Sequence, residues 1–333
     1  MVELTFDPAD ARAEEKQRDP RRASLGRLIL TDRFFKNFTR LAALLVLALL
    51  FGVILTLIEG SLPALKQFGI SFFWTEEWNP VKERFGALAP IYGTVVTSII
   101  AMLVAVPVGL GIAIFLTELC PQSLRRSIGI AIELLAGIPS IIYGIWGLFI
   151  FAPFLQRYVQ PVMIDTLGNI PGIGALFAGP PYGIGVLTAG LILGIMVLPF
   201  IASITRDVFE TVPPVLKESA YGLGATTWEV VWKVVLPYTR AGVIGGVMLA
   251  LGRALGETMA VTFVIGNAHR ISASVLQPGT TISAAIANEF VEALQTLHTS
   301  SLIALGLVLF IITFFVLACA RLLLASLNKR AGG

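Results

Sequence analysis

Charge is what this chain has least of. Only 14% of its 333 residues are charged, while 56% are hydrophobic and the mean hydropathy is +0.84. Soluble domains carry roughly 25% charged residues. An apolar surplus of this size cannot be hidden inside one soluble domain, so lipid must be part of the solvent. Cysteine is nearly missing too: Cys120 and Cys319 lie in or beside apolar stretches, which suggests neither a disulfide framework nor a thiolate metal site. The two histidines, His269 and His298, are not spaced as metal ligands and are expected to face water in or beside a loop. No G-x-x-x-x-G-K-S/T occurs, so the chain cannot cradle ATP phosphates in the P-loop manner. No histidine cluster, close pair of catalytic carboxylates or nucleophile motif supports an enzyme embedded in the membrane. A net charge of +3 is too small to suggest nucleic acid.

What is present is a set of apolar runs. A spanning helix needs about 20 mostly apolar residues, and six stretches qualify, at roughly 41–58, 90–116, 128–152, 183–204, 241–266 and 301–325. Pro107, Pro139 and Pro199 fall inside them. Such breakers survive in lipid where neighbouring helices or water re-satisfy the freed backbone groups, which points to a packed bundle with a polar route. Lys and Arg crowd the segment before the first run, the 205–240 loop (Arg206, Lys217, Lys233, Arg240) and the C-terminus (Arg321, Lys329, Arg330). By the positive-inside rule both termini and the 205–240 loop are cytoplasmic. The first run is too long, and preceded by too many polar residues, to be a cleaved signal peptide. The chain therefore reads as an all-α integral membrane protein of six transmembrane helices. It has a cytoplasmic tail at 1–36, disordered in isolation over 1–25, a membrane domain at 37–326 and a short tail at 327–333.

Two loops carry character of their own. Residues 59–89 hold Phe72, Phe73, Trp74, Trp78 and Phe85, read as an interfacial aromatic belt. Residues 153–182 contain Pro161, Gly168, Pro171, Gly172, Gly174, Pro180 and Pro181, too many breakers for a long helix, so a turn-rich or re-entrant piece is expected.

The segment 211–237 predicts a hairpin of two short helices. Pro213 and Pro214 suit a first helical turn, with Thr211 as its cap. Gly222 and Gly224 break that helix. Thr226 to Glu229 matches a capping box for a second one ending before Pro237, with Trp228 and Trp232 on one face. Read along the chain, Glu218, Ser219, Ala220 and Gly224 are followed, after nine residues, by Val234, Leu236 and Pro237. This spacing resembles the EAA loop of type I ABC importer permeases, with Ser219 at the middle alanine and Val234 at the isoleucine.

Further stretches narrow the resemblance. Trp78-Asn79-Pro80, Phe85-Gly86-Ala87, Gly137 to Gly147, Leu251 to Ala260 and Ile286 to Phe290, in this order, are similar to the first permease subunit of bacterial phosphate-specific importers, the PstC-type family. The similarity covers roughly residues 30–328. It implies a MetI-like permease core in spans two to six, in a bacterial cytoplasmic (inner) membrane. It also implies a heterodimer with a PstA-type sister permease, two PstB-type ATPase subunits holding ATP and Mg, and a PstS-type phosphate-binding protein. Glu218, Ser219, Ala220, Gly224, Leu236 and Pro237 would then form the coupling element that meets an ATPase.

Two groups bear on the path itself. Arg253 and Glu257 are expected mid-way along span five. A charge there costs about 2.5–3.5 kcal/mol on insertion scales and so needs a partner or water. Four residues apart, they share a helix face, either as a structural ion pair or as an oxyanion-attracting arginine held by a carboxylate. Pro139, Ser140, Tyr143 and Gly144 are expected to break or kink span three, as a gate hinge or as close packing. Glu133 either snorkels or pairs with a basic loop residue. Asn288 and Glu289 either contact the binding protein or form an exposed loop face. The implied function is inward phosphate transport by alternating access driven by partner ATPases. The residues themselves indicate only an anion, which leaves a sulfate or molybdate permease open. An ion-coupled carrier using Glu257 as a proton site is a further alternative, opposed by the capped hairpin and by the lack of a clear inverted repeat.

Overall fold

The computed structural model describes residues 20–331. The chain divides into two units, residues 1–56 and 57–333. Of the first, the described part is the opening of helix α1 (Pro20–Phe68). The disorder expected over 1–25 lies outside the described residues as far as residue 19, and from Pro20 onward the backbone is helical. The helix starts well before the expected span at 41. The stretch ahead of it is rich in residues of good helix propensity, and no proline follows Pro20 until Pro63.

The second unit continues through α2 (Leu88–Leu119), α3 (Gln122–Ala136), α4 (Ser140–Leu167), α5 (Val186–Glu210) and α6 (Pro214–Gly222). It closes with α7 (Thr227–Leu255), α8 (Met259–Thr262), α9 (Ile282–Glu289) and α10 (Thr296–Ala331). Among the described residues the one β pairing is an isolated bridge between Asn79 and Arg84. Among the described residues, six helices are long and apolar enough to cross a membrane. Their number is as expected, but two differ in extent. The third span is Ser140–Leu167 rather than 128–152, because Pro139 adopts an extended ψ of 137° and caps a new helix. That leaves α3 as a separate amphipathic helix. The fifth span ends at Leu255 rather than 266, where Gly256 caps it.

Prolines explain why α4 runs on to Leu167, into the 153–182 stretch expected to be turn-rich, which becomes turns only from Gly168 onward. Among the described residues four π turns occur, at Phe115–Leu119, Gly147–Phe151, Leu155–Val159 and Val231–Val235, and each ends two residues before a proline: Pro121, Pro153, Pro161 and Pro237. A helical proline has no N–H to give and presses its ring on the carbonyl four residues back. The residue ahead of each proline instead donates five residues back, as in Cys120 to Phe115 and Leu236 to Val231. The widened turn makes room for the ring without ending the helix. The second hairpin helix therefore does not stop before Pro237, as expected, but passes into span five.

The centre of the bundle is α2 against α5. Ala101 and Ala105 meet Ala189, Ile192, Leu193 and Val197, all buried. In lipid, helices gain little from expelling tails as apolar as themselves, so small side chains that let backbones approach supply the packing. After α8 the chain does not leave the bundle. Residues 263–281 are irregular yet contain buried Val264, Ile265, Leu276 and Thr280. Their backbone is bonded to the start of α5 (Gly185 N–H to Val264 O, 2.9 Å; Leu187 N–H to Val275 O, 2.8 Å) and to α2 (Tyr92 O–H to Ser272 O, 2.8 Å). Irregular backbone at this depth is stable only when the protein satisfies it in this way.

Gly93 sits where α2 touches that segment. A β-carbon on Gly93 would lie 1.8 Å from the carbonyl oxygen of Thr280. Gly93→Ala is therefore expected to destabilise the fold by about 1–3 kcal/mol, the usual cost of overpacking, read as a lower thermal unfolding midpoint in detergent. An unchanged midpoint would show that the two segments separate freely.

Candidate functional site

The hairpin between α5 and α7 is built largely as its residues predict. Pro213 is extended and caps α6, whose first residue is Pro214. Thr211 belongs to the other side of the turn: its hydroxyl donates to Val208 O at 2.7 Å and it closes α5, so it does not cap α6 as expected. At the far end Ala225 N–H donates to Ala220 O and Gly224 N–H to Tyr221 O. This is the Schellman pair, with Gly224 at φ +88° in the left-handed position. Thr226 and Glu229 then exchange both bonds of a capping box. Trp228 and Trp232 lie with ring centroids 5.1 Å apart.

Glu218, Ser219 and Gly224 point away from the chain's own core, and Leu223 beside them is 90% exposed. Ala220 and Leu236 are partly buried in a cluster with Phe209, Val212, Val230 and Val235, which seats the hairpin on the ends of α2, α5 and α7. Polar ties act at the same end. Lys217 Nζ meets Glu118 Oε1 at 2.5 Å, with side-chain exposures of only 19% and 5%. Arg206 bridges Glu133 of α3 and Asp207, each at 2.8 Å. Glu133 thus has the basic partner expected of it. Removing one member of a pair as buried as Lys217–Glu118 costs about 3–5 kcal/mol, because the other charge stays desolvated.

The second candidate region is a broken span. Arg253 occupies the last turn of α7 and is exposed, where a cation complements the helix C-terminus. The helix ends at Leu255, so Arg253 and Glu257 do not share a helical face as expected, and among the described residues no ion pair joins them. Glu257 instead caps α8, its Oε1 accepting from Ala260 N–H at 3.4 Å. The structure brings this break against the other one. A β-carbon on Gly144 would sit 2.8 Å from Phe263 Cδ2 and 3.1 Å from Met259 O, so only glycine lets α4 pass so close to α8. Ser140 opens α4 just past the break at 137–139. The Tyr143 hydroxyl donates back across that break to Leu135 O at 2.9 Å.

The third cluster lies at the opposite end of the bundle from the hairpin. Glu289, at the end of α9, accepts from the Trp78 indole N–H at 2.7 Å. His269 Nε2 and His298 Nε2 lie 2.7 Å and 3.0 Å from its two oxygens. An ionised carboxylate only accepts, so each histidine donates to it through an Nε2–H. Trp78 stacks on His269 and Phe85 on His298. Asn79 sets up the turn that holds Trp78, its Oδ1 accepting from Val81 and Lys82 N–H groups at 3.1 Å.

Residues 105–331 match the family described as binding-protein-dependent transport system inner membrane components. A phosphate transport system permease protein PstC of Mesorhizobium japonicum is 68% identical over 315 residues, 95% of this chain and 96% of that protein. The chain belongs to the PstC family of binding-protein-dependent membrane permeases. A PstC of Pasteurella multocida is 56% identical over 91% of this chain and 94% of its own length. A probable PstC of Methanocaldococcus jannaschii is 42% identical over 85% and 90%. Among solved structures, a chain of a bacterial alginate ABC transporter superposes with a TM-score of 0.56 at 18% identity, over 86% of this chain and 96% of that one. A chain of the MetNI methionine ABC transporter gives 0.53 at 17% identity, over 72% and 94%. These likenesses show the fold of a type I ABC importer permease. The permease is a multi-pass inner membrane protein and one subunit of an ABC importer complex.

Two expectations about this permease are overturned by the Glu289 cluster. His269 and His298 do not face water, and Glu289 is no exposed loop residue. The aromatics of 59–89 are likewise divided: Phe72 and Phe85 are buried in a core with α9 and α10, while Trp74 stays exposed. No spacing rule pairs residues 78, 269, 289 and 298, because the fold alone brings them together. Burial of Glu289 raises its pKa, but hydrogen bonds from His269 and Trp78 and the charge of His269 outweigh burial, and the net shift is downward. Its contribution to stability is complete above the ordinary glutamate value of about 4.3 and is lost as pH falls through the lower folded value. The gap in unfolding midpoint between the parent permease and Glu289→Gln should be widest near neutral pH and close in acid. A gap that does not change with pH would show that the carboxylate charge is not what the cluster needs.

Proposed function

We propose that the chain is the transmembrane subunit through which inorganic phosphate enters the cell in an ATP-driven importer. One observation carries this reading: relatives named phosphate transport permeases match it at 68% to 42% identity across nearly their whole lengths. In this reading the hairpin end and both termini are cytoplasmic, in keeping with the arginines and lysines gathered there. A PstA-type sister permease completes the path. Two PstB-type ATPases hold ATP and Mg, and a PstS-type binding protein delivers phosphate to the opposite end. The exposed strip Glu218, Ser219 and Gly224, with Leu223, seats in a cleft of one ATPase, and Leu236 and Pro237 carry its movement into span five.

Arg253 supplies the cation of the path. Its planar fork donates to tetrahedral oxyanions and stays charged at any physiological pH. Glu257 keeps the break in place by capping α8, and leaves the arginine free to release its ion. Pro139, Ser140, Tyr143 and Gly144 form the hinge at which α4 turns against α8 as the path switches its open side.

Arg253→Gln is expected to cut uptake of labelled phosphate by more than about tenfold, the change that 1.4 kcal/mol produces, while the complex still assembles. Normal uptake by that variant would remove the arginine from the path. Glu218→Arg should release the ATPase during purification and abolish uptake. Sulfate taken up in preference to phosphate by the parent complex would replace the substrate but not the mechanism.

A further inference from the structure

We propose that the Lys217–Glu118 ion pair is the joint through which movement of α6 reaches α2, the central helix of the bundle. This rests on the reading that an ATPase docks on the neighbouring Glu218. Lys217 and Glu118 are positioning residues: they touch neither nucleotide nor the transported ion.

Three observations converge. First, α6 contains no buried residue. Among the described residues, its one side-chain hydrogen bond or ion pair to another helix is that of Lys217 Nζ to Glu118 Oε1, at 2.5 Å. Second, the pair is largely withdrawn from water, with Glu118 only 5% exposed. Water and salt therefore compete with it weakly, and a displacement of Lys217 is passed on to Glu118. Third, the receiving point is braced. Glu118 lies in the π turn Phe115–Leu119, and Arg125 of α3 donates to Thr117 O in that turn at 2.6 Å. The turn interrupts the regular bonding of α2 just where the chain must pass Pro121, and it is the segment of α2 most able to shift as a unit. Beyond it, α2 is locked along its length against α5. A pull at α6 thus enters the core at the hairpin end of α2, alongside the apolar seat of Ala220.

A purely structural staple makes a different prediction. It would change the amount of assembled complex and leave the transport stoichiometry of what assembles untouched. The decisive measurement is labelled-phosphate uptake per ATP hydrolysed, in proteoliposomes holding the purified four-subunit complex with its binding protein. Lys217→Met and Glu118→Gln should each assemble and hydrolyse ATP, yet lower uptake per ATP by about tenfold, as a coupling energy of about 1.4 kcal/mol would. The exchanged pair, Lys217→Glu with Glu118→Lys, should recover most of that ratio. A parent-like ratio in either single variant overturns the proposal. So does a loss confined to assembly, with a normal ratio in the complex that forms. Glu218→Arg in the same assay separates the two levels: if it too transports normally, the docking reading fails, whereas its failure beside a normal Lys217→Met ratio sinks the joint alone.

Discussion

A peptide group in the hydrocarbon of a membrane has no water to turn to, and this chain answers that constraint wherever its helices are interrupted. Prolines would leave carbonyls unbonded in the spans, so the helices widen to π turns just before Pro153, Pro161 and Pro237 and continue. The same device ends α2 before Pro121 and creates the turn that holds Glu118. Past Leu255 the helical ladder stops, and the irregular segment to Thr281 is bonded instead to α2 and α5. Some of the places that interrupt regular bonding also carry charge, as Glu118 does in its π turn and Glu257 just past the end of α7.

That coincidence has a mechanical side. A regular helix packed along its length moves only as a body, whereas a π turn or a capped break is a place where two bodies can turn. The breaks at 137–139 and 256–258 lie on different helices, yet Gly144 lets α4 press directly on α8. The Tyr143 hydroxyl is bonded to Leu135 on the far side of the first break. At the end of the bundle away from the hairpin, Glu289 ties Trp78, His269 and His298 together.

Much of this was legible in the residues. Six apolar runs, a capping box at Thr226 and Glu229, a glycine turn and the Trp228–Trp232 face are all local patterns, governed by neighbours within a few positions, and the structure contains each of them. The pairing of Glu133 with a basic residue was foreseeable from the cost of leaving it alone. Other features are not legible, for two reasons. Proline reads as a stop at Pro153, Pro161 and Pro237, where a π turn lets the helix pass, and as tolerable within a span at Pro139, where the helix breaks; both limits of span three and the end of the hairpin shift accordingly. Apolar composition alone extends span five to 266, because it does not distinguish a helix from a buried irregular segment; only the partners of its backbone groups do.

Sequence by itself determined the solvent, the number of spans, the position of the hairpin and the family, because these depend on composition and on spacing along one strand of chain. Tertiary structure decided which charges meet. Glu118 finds Lys217 ninety-nine positions away, Glu289 gathers two histidines and a tryptophan, and Arg253 is parted from Glu257 by the end of a helix. Desolvated charges take whichever partner the packing brings within reach, and that choice is made between helices, where no periodicity can record it.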